Sequence, residues 1–238
     1  HAITLRMLLM HRSGLGDHRE SERFFAAIRQ RFEQVPYDPD FRIPPEELVA
    51  IELDTVPLFA PGADMRYSET GYILAGMALE RACGCNYYAE LERRILKPLR
   101  LEHTRPATTR DVPGLAQGYI GDKVPGFPAT TLDQGRMRFS PATEWTGGGL
   151  YSNTIDLAQL ADELGYTRYW VAEHHGGPML AGPSPEALIG PIAAATSSIR
   201  VGSGGVMLPH YSPFKVAETF SVLSGLFPGR IDLGLGRA

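Results

Sequence analysis

The sequence predicts a composite fold, an α+β region rich in helices followed by an α/β region with a βαβαβ rhythm. Three observations carry this. The first part of the chain repeats apolar residues at helical spacing between Pro- and Gly-rich turns. From Arg168 onward, three strand-like runs alternate with helical runs, and their starts lie roughly 30 residues apart, the spacing of a parallel sheet with crossover helices. Between the two parts runs Asn153 to Gly165, N-T-I-D-L-A-Q-L-A-D-E-L-G, a helical stretch at which the character of the chain changes. The border drawn within it divides the chain into regions 1–156 and 157–238.

Bulk properties bound the function. With 238 residues, 43% hydrophobic and 21% charged, the chain holds ample apolar material for a core. A net charge of -4 gives no footprint for nucleic acid or an anionic membrane. There is no apolar run of about 18 residues, the length a spanning helix needs. No signal-peptide pattern is visible, so a cytoplasmic location is the expectation. The start at His1, directly in a structured-looking segment, leads us to expect further sequence upstream. Cys83 and Cys85 are too few for a zinc site and awkwardly spaced for a disulfide, so reduced packing cysteines are expected and no metal is assigned.

In the first region, Ile3 to Gly14 reads as a short helix with Thr4 as N-cap and Gly14 as the left-handed residue after its end. Glu20 to Glu33 is amphipathic, with Phe24, Phe25, Ile28 and Phe32 on one side. Pro44-Pro45 opens a helix over Glu46 to Ile51. A Pro61-Gly62 turn leads to Tyr67-Ser68-Glu69, after which Thr70 to Cys83 and Tyr87 to Leu96 read as helices, the second stopped by Lys97-Pro98. Residues 103–146 are turn-rich, with aromatic punctuation at Tyr119, Phe127 and Phe139. Trp145 to Ser152 reads as a glycine-rich turn into a strand or bend. His11, His18 and His103 show no ligand spacing and read as structural or surface residues.

Four blocks of this region, I-T-L-R-M-L-L-M-H-R-S-G-L, F-A-P-G-A-D-M-R-Y-S-E-T-G-Y, L-K-P-L-R-L-E-H-T and G-G-G-L-Y-S-N-T-I-D-L-A, resemble in order those of the serine beta-lactamase-related family, which includes class C beta-lactamases, DD-peptidases and esterases. The resemblance implies acyl transfer by a Ser in S-x-x-K, with Lys and Tyr managing its proton. Tyr67 matches the Tyr and would be the catalytic proton shuttle. Glu69 stands where the family has Asn, and no S-x-x-K or K/H-T-G block stands at the expected place. Ser212-Pro213-Phe214-Lys215 fits S-x-x-K by pattern but follows Tyr67, and reads as coincidence.

In the second region, Arg168 to Glu173, Ile199 to Leu208 and Ile231 to Gly236 read as strands, and Pro185 to Ser198 and Pro213 to Phe227 as helices. Glu173-His174-His175, Gly204-Gly205 and Arg237 then fall towards the C-terminal edge of a parallel sheet, where such sheets bind ligands. Histidine can protonate a substrate oxygen, paired glycines admit a flat ligand, and arginine forks onto phosphate.

The runs L-G-Y-T-R-Y-W-V-A-E-H-H, I-A-A-A-T-S-S-I-R-V-G-S-G-G-V-M-L-P and L-F-P-G-R-I-D-L-G-L-G-R-A resemble the luciferase-like flavin-dependent monooxygenases. The resemblance implies part of a TIM barrel that binds FMN or a deazaflavin. His174 would be its catalytic histidine, with Glu173 and His175 beside it. Gly204-Gly205 would form a non-proline cis peptide against the flavin ring, and Arg237 would contact the flavin phosphate.

Taken together, the chain is expected to combine a beta-lactamase-like helical fragment with a three-strand βαβαβ fragment of a barrel, both truncated and without full catalytic activity. Two alternatives stand beside this: a flavin oxidoreductase completed as a homo-oligomer, and a non-catalytic module binding a small molecule in the hydrolase-like cleft. In every case the partners are a small-molecule substrate or flavin, not nucleic acid or membrane.

Overall fold

The computed structural model of the protein describes residues 3–33, 36, 38–53, 55–118, 129–175 and 184–237, with Phe32 described by its backbone alone. The expected punctuation at Tyr119 and Phe127 lies outside the described residues. The chain forms two compact units, one of His1–Arg94 with Pro106–Tyr151 and one of Ile95–Arg105 with Ser152–Ala238.

In the first unit, α1 (Leu5–Leu9) begins at Thr4, whose hydroxyl accepts the Met7 N–H. It stops short of the expected end at Gly14. The His11 N–H returns to the Leu8 carbonyl and the Arg12 N–H to the Met7 carbonyl, with His11 itself left-handed at φ 56°. That is a Schellman closure with a non-glycine residue at its pivot. Gly14 serves a later bend at φ 81°, where a Cβ would run into the Phe59 carbonyl oxygen.

Helix α2 (Glu22–Phe32) is capped by Ser21, and α3 (Pro45–Leu53) starts on its proline. Phe24 and Ile28 of α2 pack against a buried cluster of Ile43, Leu48, Val49 and Ile73. Phe25, expected on the same side, is 45% exposed. A step of 100° per residue carries it off the stripe that Phe24 and Ile28 share.

Helix α4 (Glu69–Cys83) is capped by Ser68 and ends on Gly84 at φ 62°. That left-handed cap turns the chain so that the Cα atoms of Cys83 and Cys85 lie 5.2 Å apart, and the two form a disulfide. The expected reduced packing cysteines are thus corrected: Cys83 is exposed and bridged, not buried. Helix α5 (Tyr87–Leu91), capped by Asn86, runs into a π turn over Glu92–Leu96 where a single α-helix was expected. Pro98 follows and can donate no backbone N–H to prolong the helix.

After β1 (Arg105–Pro106), the turn-rich stretch contains a hairpin of β2 (Leu132–Asp133) and β3 (Arg136–Met137), paired Leu132 to Met137. Its two loop residues, Gln134 and Gly135, both have positive φ, which matches the twist of the strands. Trp145 to Ser152 folds as a short helix α6 (Trp145–Gly148) and then β4 (Leu150–Tyr151).

The second unit opens with α7 (Thr154–Glu163). Asn153 caps it by accepting the Asp156 N–H at 2.8 Å, and Gly165 follows its end at φ 75°. Then come β5 (Arg168–Val171), α8 (Pro185–Ala195), β6 (Arg200–Met207), α9 (Pro213–Leu226) and β7 (Ile231–Gly236). The strands form a parallel sheet in the order β5-β6-β7, with Trp170 opposite Gly202 and Val201 opposite Ile231. Ile189, Ile192, Val201, Val206, Val216 and Phe220 belong to one buried core of helix and strand residues. At the start of the sheet Asp232 receives Arg168 and Arg200. Hydrogen bonds from those two guanidiniums, Arg200 foremost, hold the Asp232 carboxyl below its usual range despite partial burial. The architecture is mixed helix and sheet, and the three strands described here do not close a barrel. Among the described residues no helix is long and apolar enough to cross a membrane.

Candidate functional site

The first unit gathers charged groups around Tyr67. Its hydroxyl donates to Glu69 Oε1 at 3.3 Å, and the same oxygen takes Arg19 at 2.7 Å. Arg19 also lies 3.5 Å from Glu144. Glu69 is buried because it opens α4 directly behind the Ser68 cap, while Tyr67 just ahead of that cap stays 54% exposed. Partial burial and the Glu69 carboxylate raise the Tyr67 hydroxyl above its usual range, so it holds its proton near neutrality. Burial likewise raises Glu144, with Arg19 opposing and Glu69 adding to the effect.

The His11 ring lies 4.6 Å from that of Tyr67, and its Nδ1 accepts the Ser68 N–H at 3.2 Å. His18 is buried, with Nδ1 3.1 Å from the Thr70 hydroxyl, and burial lowers its basicity. This unit therefore gives Tyr67 a carboxylate partner. Sequence reasoning singled out Tyr67 and Glu69 but missed Arg19 and Glu144, which lie far from them in the chain and in no common motif.

In the second unit, successive residues after β5 point in opposite directions, as extended backbone requires. Glu173 turns in and has a side chain with no exposed surface, whereas His174 turns out. Glu173 Oε2 accepts the Met207 N–H at 2.9 Å, and Oε1 lies 2.5 Å from His175 Nε2. The His175 ring sits 4.5 Å from that of His210. Glu173 thus ties the end of β5 to the end of β6 and aligns His175, and both histidines are exposed.

Gly204-Gly205 lies in β6 and its peptide bond is cis. Gly204 is exposed and rests against Trp170 of β5, and Arg237 is exposed just past β7. Tyr211 nearby is raised by burial and by the carboxylates of Glu186 and Glu173. The edge thus combines a side-chain-free surface at Gly204 with exposed proton-donor and cationic side chains at His174 and Arg237. Those groups fit the flat ring, acceptor oxygens and phosphate of a flavin. Sequence reasoning missed His210, Trp170 and the Met207 N–H. Among the described residues no group of three or more His, Cys, Asp or Glu could hold a metal ion.

The second unit is thus an α/β structure, a parallel βαβαβ sheet with polar groups at its C-terminal edge. Comparison with known proteins then gives each region its relatives. The luciferase-like monooxygenase family matches residues 137–238. The uncharacterized protein YwcH of Bacillus subtilis is 71% identical over 85 residues, 36% of this chain and 26% of that one. The N-acetyl-S-alkylcysteine monooxygenase of the same organism is 57% identical over 93 residues, 39% of this chain and 28% of that one. The chain thus spans about a quarter of the length of these curated relatives. Among solved structures, a D-stereospecific amidohydrolase from Streptomyces sp. superposes with a TM-score of 0.55 at 30% identity, over 68% of this chain and 46% of that one. The C-terminal region resembles the luciferase-like flavin monooxygenases, and the N-terminal region resembles a serine-hydrolase or amidase-like fold.

Proposed function

We propose that the chain joins an amidase-like unit to part of a flavin-monooxygenase site, with the ancestral border between residues 156 and 157, and that these 238 residues alone turn over neither kind of substrate. The observation that supports this reading best is the edge of the β5-β6-β7 sheet. Exposed His174 follows β5, exposed Gly204 lies beside its cis peptide in β6, exposed Arg237 follows β7, and buried Glu173 joins the ends of β5 and β6. When bound, FMN would supply electrons for oxygen activation, and a deazaflavin would supply a hydride. His174 would donate a proton to an oxygen at the ring, His175 and Glu173 would hold the loop that carries it, Gly204-Gly205 would seat the ring, and Arg237 would take the phosphate.

The amidase-like unit supports no complete hydrolase in this chain. Tyr67 would be its proton shuttle, yet its hydroxyl is engaged by Glu69, and no Ser-x-x-Lys precedes it in the 238 residues. The test is a pair of assays on the purified chain. Hydrolysis of nitrocefin, an ester and a D-amino acid amide is expected to stay at background. An FMN titration is expected to show weak binding or none. Saturable hydrolysis lost in Tyr67→Phe, or tight FMN binding, would overturn the reading.

A second reading, a flavin oxidoreductase completed by several copies, draws on the exposure of Leu233 (44%), Leu235 (58%) and Trp170 (50%) on the sheet. An open strand edge with apolar side chains invites pairing with another chain. A multiple of the 26.1 kDa mass carrying flavin absorbance would favour it, and a flavin-free monomer would remove it.

A further inference from the structure

A feature of the first unit belongs to neither site above. Two neighbouring cavities, about 700 Å³ and about 440 Å³, share Arg42, Asn86, Ala142 and Trp145 on their walls. Both volumes fall in the range of small-molecule sites, and neither lining includes Tyr67 or Glu69.

Trp145 has φ 35°, a left-handed conformation rare for a bulky side chain. Such a residue persists only where its surroundings over-determine it, and it is a marker of ligand sites. Here the Tyr87 ring meets the indole edge-on at 6.0 Å. That contact fixes a flat aromatic wall common to both cavities.

Arg42 is the sole charged residue lining the smaller cavity. It is exposed, and no carboxylate pairs with it among the described residues. On the larger cavity Arg81 adds a second guanidinium, and Glu46 and Glu80 oppose it. Glu80 is engaged by the Tyr87 N–H at 2.7 Å and the Asn86 amide at 3.4 Å. Tyr88, whose hydroxyl donates to the Gly149 carbonyl at 3.2 Å, is pushed up to about 12 by burial and stays neutral on the wall. The smaller cavity therefore offers one fixed aromatic face and one cation.

We propose that the cavity beside Trp145 binds a small aromatic monocarboxylate, its ring against Trp145 and its carboxylate on the Arg42 guanidinium. An arginine fork matches a carboxylate in shape and charge, and indole stacks on an aromatic ring.

The chain has two tryptophans, so the 238-residue chain carrying Trp170→Phe reports on Trp145 alone. Its emission is titrated with phenylacetate and with neutral phenylacetamide. Phenylacetate is expected to give a saturable change, and phenylacetamide to bind at least about tenfold more weakly. Arg42→Gln is expected to weaken phenylacetate by about tenfold with an unchanged circular-dichroism melt, and Arg81→Gln by less than about threefold. No saturable response up to about 10 mM, or equal binding of the two probes, overturns the proposal. The comparison of anion with neutral probe decides it without any arginine variant.

Discussion

The two units reach their folds by different means. In the second, eleven buried residues from α7, α8, α9, the sheet and Ile199 just before β6 form one core among the described residues. In the first, the corresponding cluster holds four, Ile43, Leu48, Val49 and Ile73. Here long-range polar bonds tie the segments together: His18 N–H to Thr70, Ser68 hydroxyl to the Gly16 carbonyl, Arg12 to the Gly62 carbonyl, and Arg19 to Glu69. A parallel sheet is specified by continuous apolar burial, whereas a helical region rich in loops depends on particular donors meeting particular acceptors.

The largest effect that could break this contrast is in the cores. Ile192→Ala, at a site 1% exposed within the large core, is expected to cost about 4 kcal/mol. Ile73→Ala, equally buried in the small cluster, is expected to cost about 2 kcal/mol, because the partly buried residues around that cluster can relax into the space. Urea unfolding by circular dichroism measures both, and equal costs would erase the distinction. Next comes Glu173→Ala, which strands the Met207 N–H and frees His175, and is expected to cost about 2 kcal/mol. Tyr67→Phe removes one exposed hydroxyl and should stay within about 0.5 kcal/mol.

Asp162 sharpens the contrast through pH. Burial opposes its charge, but the Ser198 hydroxyl and the N–H groups of Ser197, Ile199 and Ser198 lower its pKa below the ordinary 3.8. A depressed carboxylate contributes stability above its unfolded pKa and loses it as pH falls below 3.8 through the folded value. Asp162→Asn should therefore lose about 1–2 kcal/mol at pH 7 and show a flatter acid limb in thermal melts. Glu144 has the opposite sign. Its raised pKa contributes stability at low pH that disappears as pH rises past 4.5. Glu144→Gln should gain less than about 1 kcal/mol at pH 7. A loss there would show that its pairing with Arg19 outweighs its burial.

Much of the second unit was legible in the sequence. Its strands were legible from their spacing of roughly 30 residues with a helical run between each, and Pro185 and Pro213 opened the helices. The first unit was legible in the cap at Thr4 and in the helix end at Cys83, because helix ends are a local matter. The early end of α1, the exposure of Phe25 and the bridge between Cys83 and Cys85 were not. Each depends on where the chain goes next: a closure pivoting on His11, the position of one small cluster, and the direction Gly84 imparts. The candidate sites followed the same rule. Glu173, His174, Gly204 and Tyr67 stood in runs that resemble known blocks, whereas Arg19, Glu144, His210 and Arg42 were brought into place only by folding.

Helix α7 holds two acidic anchors six residues apart, about 9 Å along the axis. Asp156 accepts the His103 N–H and the Thr104 hydroxyl, both at 2.8 Å. Asp162 accepts the Ile199 N–H at 2.7 Å and the Ser198 hydroxyl at 2.6 Å. Its first turn grips a segment that precedes it by some fifty positions, and its last turn grips one that follows by thirty-six. Neither grip uses the other's carboxylate. A helix built this way works like a coupling with two sockets, one carboxylate holding the segment before it and the other the segment after it.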